Sequence, residues 1–536
     1  MAKQLISQPL PNFGVNGLNT QSNPNSLDPS YLTAADNIVL RESGRISFRK
    51  GLKQKVVPSG TSINSIIEHD DQGTNKIFAS HGTSIYTIDF TTPNAAFPSS
   101  GADLKHTVAG TTGDWQFINF NNRLTCLHTG VVPQRYDGAQ SSGSRWAAFD
   151  NATRPPSVTT GEFKPSCGAG AYGRMWVGGV EEEKDVLHYS ALLDADDYTL
   201  ANDGGSIDLK KVWDKDDIVA VAPFYGQLAV FGKNNIAIYE SPDVIDNIKL
   251  NEVIKGVGCI ARDSVQAIGD DLVFLSNTGL RSLARTSEKD KVPLTDISKN
   301  IKDTLIRNIG VSDLTKVKSV YVENEGIYIL SFTDKNINYV FDFKHFTPNG
   351  EPRITTWTFN NDREPTSMCY TETYGYLTGQ KDGGIAGYEG YFDTDMSFSS
   401  GSVVLSNSGV TADVSSIWIP LSQGMVSSLL KKIILVLEGG SGSTLGLKWY
   451  KDFGMTPSDT TQISLRPATT GTVALYGNAA SLYGASKYSP IYGLQEYSTP
   501  LAGSAKTLKL NMSIVSNGYD ASIQDLSILH LQGKIR

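Results

Sequence analysis

The sequence predicts an all-β chain: a β-propeller of about six to seven four-stranded blades, with an N-terminal arm and a C-terminal β-sandwich-like domain. Two observations predict it. Turn formers and aromatics are abundant, with 51 Gly, 23 Tyr and 20 Phe, a pairing that suits short strands and tight turns better than helices. A hairpin-containing unit also recurs at nearly constant spacing.

Each unit reads as a strand, a turn rich in Gly, Asn or Asp, an apolar strand, a second turn, and a strand ending near an aromatic. The first leads through Ile77-Phe78-Ala79, turns at His81-Gly82 and resumes as Ile85-Tyr86-Thr87-Ile88. The second turns at Asn121-Asn122 into 124–127, and the third carries Tyr172-Gly173 before Met175-Trp176-Val177. The fourth is the clearest: Phe224-Tyr225-Gly226-Gln227 leads into Leu228-Ala229-Val230-Phe231 and then Ile236-Ala237-Ile238-Tyr239. Gly269-Asp270-Asp271, Asn324-Glu325-Gly326 and Thr373-Tyr374-Gly375 open the central strands of the last three. From Ile77 through Leu124, Met175, Leu228, Leu272 and Ile327 to Tyr376, the steps are 47, 51, 53, 44, 55 and 49 residues. One small sheet cannot bury both its faces, whereas sheets packed in a ring bury one another. A sandwich would also alternate strands and turns, but without so regular a step.

Three domains are expected: 1–55 as an arm with the first strands, 56–395 as the propeller, and 396–536 as a sandwich-like platform or tip. Within the propeller, a helical insertion is expected at about 294–308, after Pro293, with Ile297, Ile301 and Leu305 at steps of four and Thr295 or Asp296 as cap. It either packs on its own propeller or contacts a neighbouring subunit. Beyond 396, 399–409 reads as a linker or edge strand. Largely period-two segments follow at 417–420, 432–438, 445–450, 508–514 and 523–531.

The bulk numbers narrow function. With 39% hydrophobic and 19% charged residues the chain can bury cores. A net charge of -8 disfavours stable wrapping around nucleic acid, yet suits a channel wall that must not hold DNA sliding past it. Residues 1–12 lack a secretory pattern, and no run of about 18 apolar residues marks a membrane helix. Cys126, Cys167, Cys259 and Cys369 form no CxxC pair and read as buried or spectator thiols, which fits assembly in a reducing cytoplasm.

No catalytic, cofactor-binding or metal site is assigned, and no cofactor is expected. There is no HExxH, Walker loop, GxSxG or GxGxxG in the required context. The seven histidines are scattered singly. The acidic run Glu181-Glu182-Glu183-Lys184-Asp185 reads as a solvated turn of the third blade. Asp194, Asp196 and Asp197 lack the glycine and final glutamate of a calcium loop. Tyr476, Tyr483, Tyr488, Tyr492 and Tyr497 lie in or beside a Gly/Ser-rich stretch and read as loop packing, subunit contact or an exposed binding surface. A carboxylate pair of glycosidase type remains an alternative that spacing does not reveal.

Three elements near the N-terminus carry a resemblance: Phe13-Gly14-Val15-Asn16-Gly17-Leu18-Asn19-Thr20, Asp36-Asn37-Ile38-Val39-Leu40, and Gly44-Arg45-Ile46-Ser47-Phe48-Arg49-Lys50-Gly51-Leu52. Together with 168–198, 228–240, 256–259 and 272–280 in the same order, they resemble the tail nozzle, or packaged-DNA stabilisation, family of short-tailed bacteriophages. The doublet reads Asn16-Gly17 where that family has Gly-Gly. The resemblance implies a non-enzymatic virion protein of the phage tail, assembled in the host cytoplasm. It would form a ring of six copies that retains packaged DNA and conducts it during ejection through the host envelope. The implied partners are other copies of the chain, tail adaptor or head-to-tail connector proteins, tail fibres or a tail needle, and, transiently and non-specifically, double-stranded DNA in the lumen. A receptor- or glycan-binding tail protein on a propeller scaffold is the alternative, with a glycan-cleaving enzyme behind it.

Overall fold

In the computed structural model, residues 5–41, 44–90, 97–98, 101, 103–213, 215–284, 296–360, 362–399, 402–422, 426–440, 442–465 and 494–532 are described. The repeat unit becomes a blade. Ile63–Asp71, Thr74–His81, Ser84–Ile88 and Lys105–Thr107 form the first, with strands in chain order across the sheet. The second spans Gln116–Phe120 to Trp146–Ala148, the third Cys167–Ala171 to Gly205–Asp208, and the fourth Ile218–Phe224 to Lys249–Lys255. The fifth has three strands among the described residues, Gln266–Ile268, Asp271–Ser276 and Gly279–Ser282. The sixth runs from Val317–Val322 to Pro352–Trp357. The seventh takes three strands from Pro365–Thr371, Gly375–Gln380 and Ile385–Tyr388 and its fourth from Leu52–Val56. Among the described residues six blades are therefore four-stranded and one three-stranded, and every central strand read from the repeat is the second strand of its blade.

Local chemistry explains the hairpins. The first turn of blades one to four is a two-residue loop with both residues at positive φ: Gln72-Gly73, Asn121-Asn122, Tyr172-Gly173 and Tyr225-Gly226. Such loops match the right-handed strand twist, and Gly or Asn adopts the left-handed region at little cost. Between successive blades, except five and six, lies a separate apolar cluster. Phe78, Trp115 and Tyr136 fill the seam between blades one and two, and Phe231 and Phe274 that between four and five. Val56, Ile63 and Leu377 fill the seam that joins seven to one.

The first 55 residues are not a unit of their own. Leu52–Val56 closes the propeller by pairing antiparallel with Ile385–Tyr388. Gly17–Leu18 and Tyr31–Asp36 continue the sixth blade edge-on into the C-terminal sandwich, making one eleven-stranded sheet. Ile38–Leu40, Ile46–Phe48 and Leu5–Pro9 join the opposite sheet with Ser428–Gly439 and Ala521–Gln532. The boundary at 395/396 moves for the same reason. Phe392–Ser399 pairs with Ser402–Gly409 as a hairpin on the seventh blade, so the sandwich proper begins at Thr411–Ser416. Period-two patterns reveal strands but not their hydrogen-bond partners.

The sandwich core follows its alternation: Leu445, Leu447 and Trp449 face inward from one sheet, Ile433, Leu435 and Leu437 from the other. The insertion begins as a 3-10 turn, Lys299–Ile301, and becomes an α-helix at Lys302–Val311. Residues 294–295 lie outside the described residues, while the Asp296 carboxylate accepts the Ser298 amide at 2.9 Å. Ile297, Ile301 and Leu305 are buried in the core shared with the arm and sandwich, so this face of the helix packs on its own chain. No helix among the described residues is long and apolar enough to cross a membrane.

The second and third N-terminal motif elements meet at one buried arginine. Arg49 is 1% exposed. Its Nε donates to Asn37 Oδ1 at 2.7 Å, and its terminal nitrogens donate to the Lys50 and Thr358 carbonyls at 2.8 and 3.2 Å. Asp393 lies 3.6 Å away and supplies the countercharge, and the Phe359 ring sits 4.7 Å from the guanidinium carbon. Asn37, at φ 56°, donates its amide to the Thr411 carbonyl at 2.8 Å. Arm, sixth blade, hairpin and sandwich are thus tied by two side chains. Gly51 must lack a side chain because a Cβ there would sit 2.0 Å from the Phe392 carbonyl oxygen. Arg49→Met leaves Asp393 buried without its cation and is expected to cost about 3 kcal/mol, as breaking a buried ion pair typically does. Urea unfolding against wild type measures it, and a change below about 0.5 kcal/mol would show that the hub is dispensable.

Candidate functional site

In a propeller the inner strands surround an axial channel, and here several short segments place charge inside it. Asp114 lies in the chain entering blade two, Arg262 and Asp263 in the 3-10 turn entering blade five, and Lys318 on the first strand of blade six. Arg262 grips Asp263 through two nitrogens at 2.7 and 2.9 Å and donates to the Ser166 carbonyl at 2.9 Å. Lys318 Nζ bridges Asp263 and Asp114 at 2.6 and 2.7 Å. The Asp263 backbone carbonyl accepts the Ser319 hydroxyl at 2.7 Å.

Two cations therefore face two anions, with neutral sum. Burial disfavours the Asp263 charge, but Arg262 and Lys318 outweigh it and hold the carboxyl well below the usual carboxylate range. Burial likewise works against the Arg262 cation, and Asp263 with Asp114 more than compensates. Cavities of about 550 and 370 Å³ share Arg262 and Asp263 in their linings, so the cluster lies between them. Its hydrogen-bonding capacity is turned inward on the blades, which makes it a cross-channel pin rather than a base or nucleophile in waiting. Sequence reading missed these four residues. Asp114 and Lys318 are 204 positions apart, and nothing in their spacing announces a pair.

The residues weighed from sequence fall elsewhere. The acidic run at 181–185 is the turn between Arg174–Gly178 and Val186–Tyr189. There Glu182 accepts the Thr159 amide at 2.9 Å, Glu183 accepts the Ser157 hydroxyl at 2.9 Å, and Glu181 pairs with Lys184 at 3.0 Å. Asp196 pairs with Arg135 and Asp194 with Arg123, both on blade two, while Asp197 accepts the Thr199 amide. The three aspartates act as inter-blade ties and a turn cap. Among the described residues no group of three or more His, Cys, Asp or Glu is placed to hold a metal ion. Burial pushes the Cys167 thiol up to about 12 and Cys259 to about 11, so both stay protonated. Tyr497 is buried in the sandwich, and Tyr476, Tyr483, Tyr488 and Tyr492 lie outside the described residues.

No family model matches the sequence, and no curated protein matches it significantly. Among solved structures the chain is similar to Raptor from Chaetomium thermophilum at 12% identity and a TM-score of 0.41, over 64% of this chain and 29% of that one. It is similar to the Pan2 WD40 domain of Neurospora crassa at 6% identity and a TM-score of 0.39, over 63% and 96% of the two chains. A third likeness is to the Cps50 (Swd1) β-propeller domain of Myceliophteria thermophila, at 10% identity and a TM-score of 0.35, over 62% and 96%. The chain thus spans less than a third of the Raptor chain's length.

Two outcomes are expected here. Lys318→Met leaves Asp114 and Asp263 to share Arg262 as their one remaining cation and lowers stability by about 2 kcal/mol in urea unfolding. His188 is fully buried, with Glu183 3.2 Å from its Nε2 but no hydrogen bond to either ring nitrogen. Burial lowers its pKa from 6.5 to about 4. Because the folded value is the lower one, the unfolded chain takes up the proton first as pH falls. Its contribution is intact above 6.5 and is lost between 6.5 and 4, by up to about 3 kcal/mol. A shallower stability-versus-pH slope across that window in His188→Leu checks this, and an unchanged slope would refute it.

Proposed function

We propose that the chain is a non-enzymatic structural subunit of a phage tail nozzle, assembled as a ring that retains and conducts double-stranded DNA. The observation that carries this reading is the weave of the N-terminal segment. One sheet runs from the sixth blade through Gly17–Leu18 and Tyr31–Asp36 into the sandwich, so force applied to either part is borne by backbone hydrogen bonds across both. A propeller closed on itself leaves few pairing edges, which suits a wall under mechanical stress. The conduit in this reading is the hole of the ring, since the propeller's own channel is crossed by the Arg262–Asp263–Lys318–Asp114 cluster. A net charge of -8 would limit adhesion of DNA to a wall that presents it.

The test is sedimentation of the purified chain, alone and mixed with an adaptor ring, followed by imaging of the particles. A closed ring with a central hole is expected. Monomer under both conditions would end the nozzle reading, and glycan binding by that monomer would point to a receptor-binding propeller instead.

A further inference from the structure

Six large apolar side chains are exposed within residues 192–250: Leu192, Leu193, Leu200, Tyr225, Val244 and Leu250. All belong to blades three and four, in first turns, in loops between third and fourth strands, or at the start of a fourth strand. The antiparallel order of each blade puts these segments at one end of the disc. Local contacts join them. The Leu193 amide donates to the Gly173 carbonyl at 2.7 Å, the neighbouring Tyr172 hydroxyl reaches the Gln227 carbonyl at 2.7 Å, and Tyr225 stands edge-on to Phe224 at 5.1 Å. An apolar patch of this density marks an interaction surface.

A second unprotected surface hangs from the seventh blade. Ser402–Gly409 is the outer strand of its sheet. It carries no charge and no proline, and Val404 and Leu405 are 47% and 58% exposed. The outer strand of blade four is also long, but it has a lysine at each end and a glutamate between, which is how proteins blunt an edge against pairing.

In a ring of seven blades, the seventh lies across from the third and fourth. Two apolar surfaces on opposite sides of one subunit make a head-to-tail contact, the kind that closes rings. Glu240, Asp243, Asp246 and Asp270 border the patch, with Lys249 set opposite Glu240, so two patches would repel one another, whereas the outer strand Ser402–Gly409 has no charge of its own to oppose those acids and offers the Asn407 amide as a donor. We propose that the Ser402–Gly409 edge of one copy seats on the blade-three and blade-four patch of the next. This rests on the ring reading above and names the surfaces that build the ring.

The experiment compares sedimentation of wild type, Leu405→Lys, Leu193→Asp and a control, Leu104→Lys, an exposed position on blade one. Both interface variants are expected to weaken assembly at least tenfold, with the control unchanged. Independently, Leu405→Cys and Leu193→Cys proteins mixed with a bismaleimide should give a cross-linked dimer that neither forms alone. Three of the four native thiols are buried, and wild type with the reagent sets the background. Rings that persist in both variants, without cross-linking in the mixture, would overturn the assignment while leaving the ring reading intact. Rings that persist but no longer capture the adaptor would also overturn it, giving the patch to the adaptor. Wild type that never assembles would sink the ring reading and this inference together.

Discussion

Everything in this molecule depends on a charge that cannot leave. Arg49 is buried among Trp357, Phe359 and the backbone of three separate elements, and its desolvation is tolerable only because Asn37, two carbonyls and Asp393 hold it together. These partners come from three regions: the arm, the end of blade six and the hairpin on blade seven. A guanidinium with five donors in a fixed plane demands that these regions meet in one geometry. The same demand fixes the closing strand Leu52–Val56, which begins three residues later and whose Leu52 amide is held by the Asp393 carboxylate at 2.9 Å.

Around that hub the structure repeats one physical solution. Every blade is too thin to have a core, so its apolar residues face the neighbouring blades, and the described residues divide into seam clusters. The seam between blades five and six differs. There the apolar surface is continuous with the helix, the arm and the sandwich, so the propeller has no clean edge on that side. The C-terminal domain is bound through a shared sheet and a shared core rather than through a linker.

Polar chemistry is spent on the same end. The aspartates of the third blade tie it to the second, and the four charges in the axial channel tie the entries of blades two, five and six. A buried ionic cluster gains little net stability against an apolar filling of the same volume, but it tolerates only one arrangement. In a ring of similar blades, that specificity resists slippage of one blade against the next.

The chain by itself determined the blades. Repeated turns such as Tyr225-Gly226 and apolar central strands such as 228–231 are local signals, governed by positive φ and by period-two burial, and both act within a few residues. It also carried the hub: Asn37, Arg49 and Gly51 stand inside the motifs legible at the N-terminus, though only as a resemblance and without a physical role. What only the tertiary structure decided is partnership. That Leu52–Val56 would close blade seven, that Gly17–Leu18 would bridge propeller and sandwich, and that Lys318 would meet Asp114 depend on contacts between residues hundreds of positions apart. No local periodicity encodes such pairings, because a strand's pattern says which face is buried and is silent about which strand lies beside it.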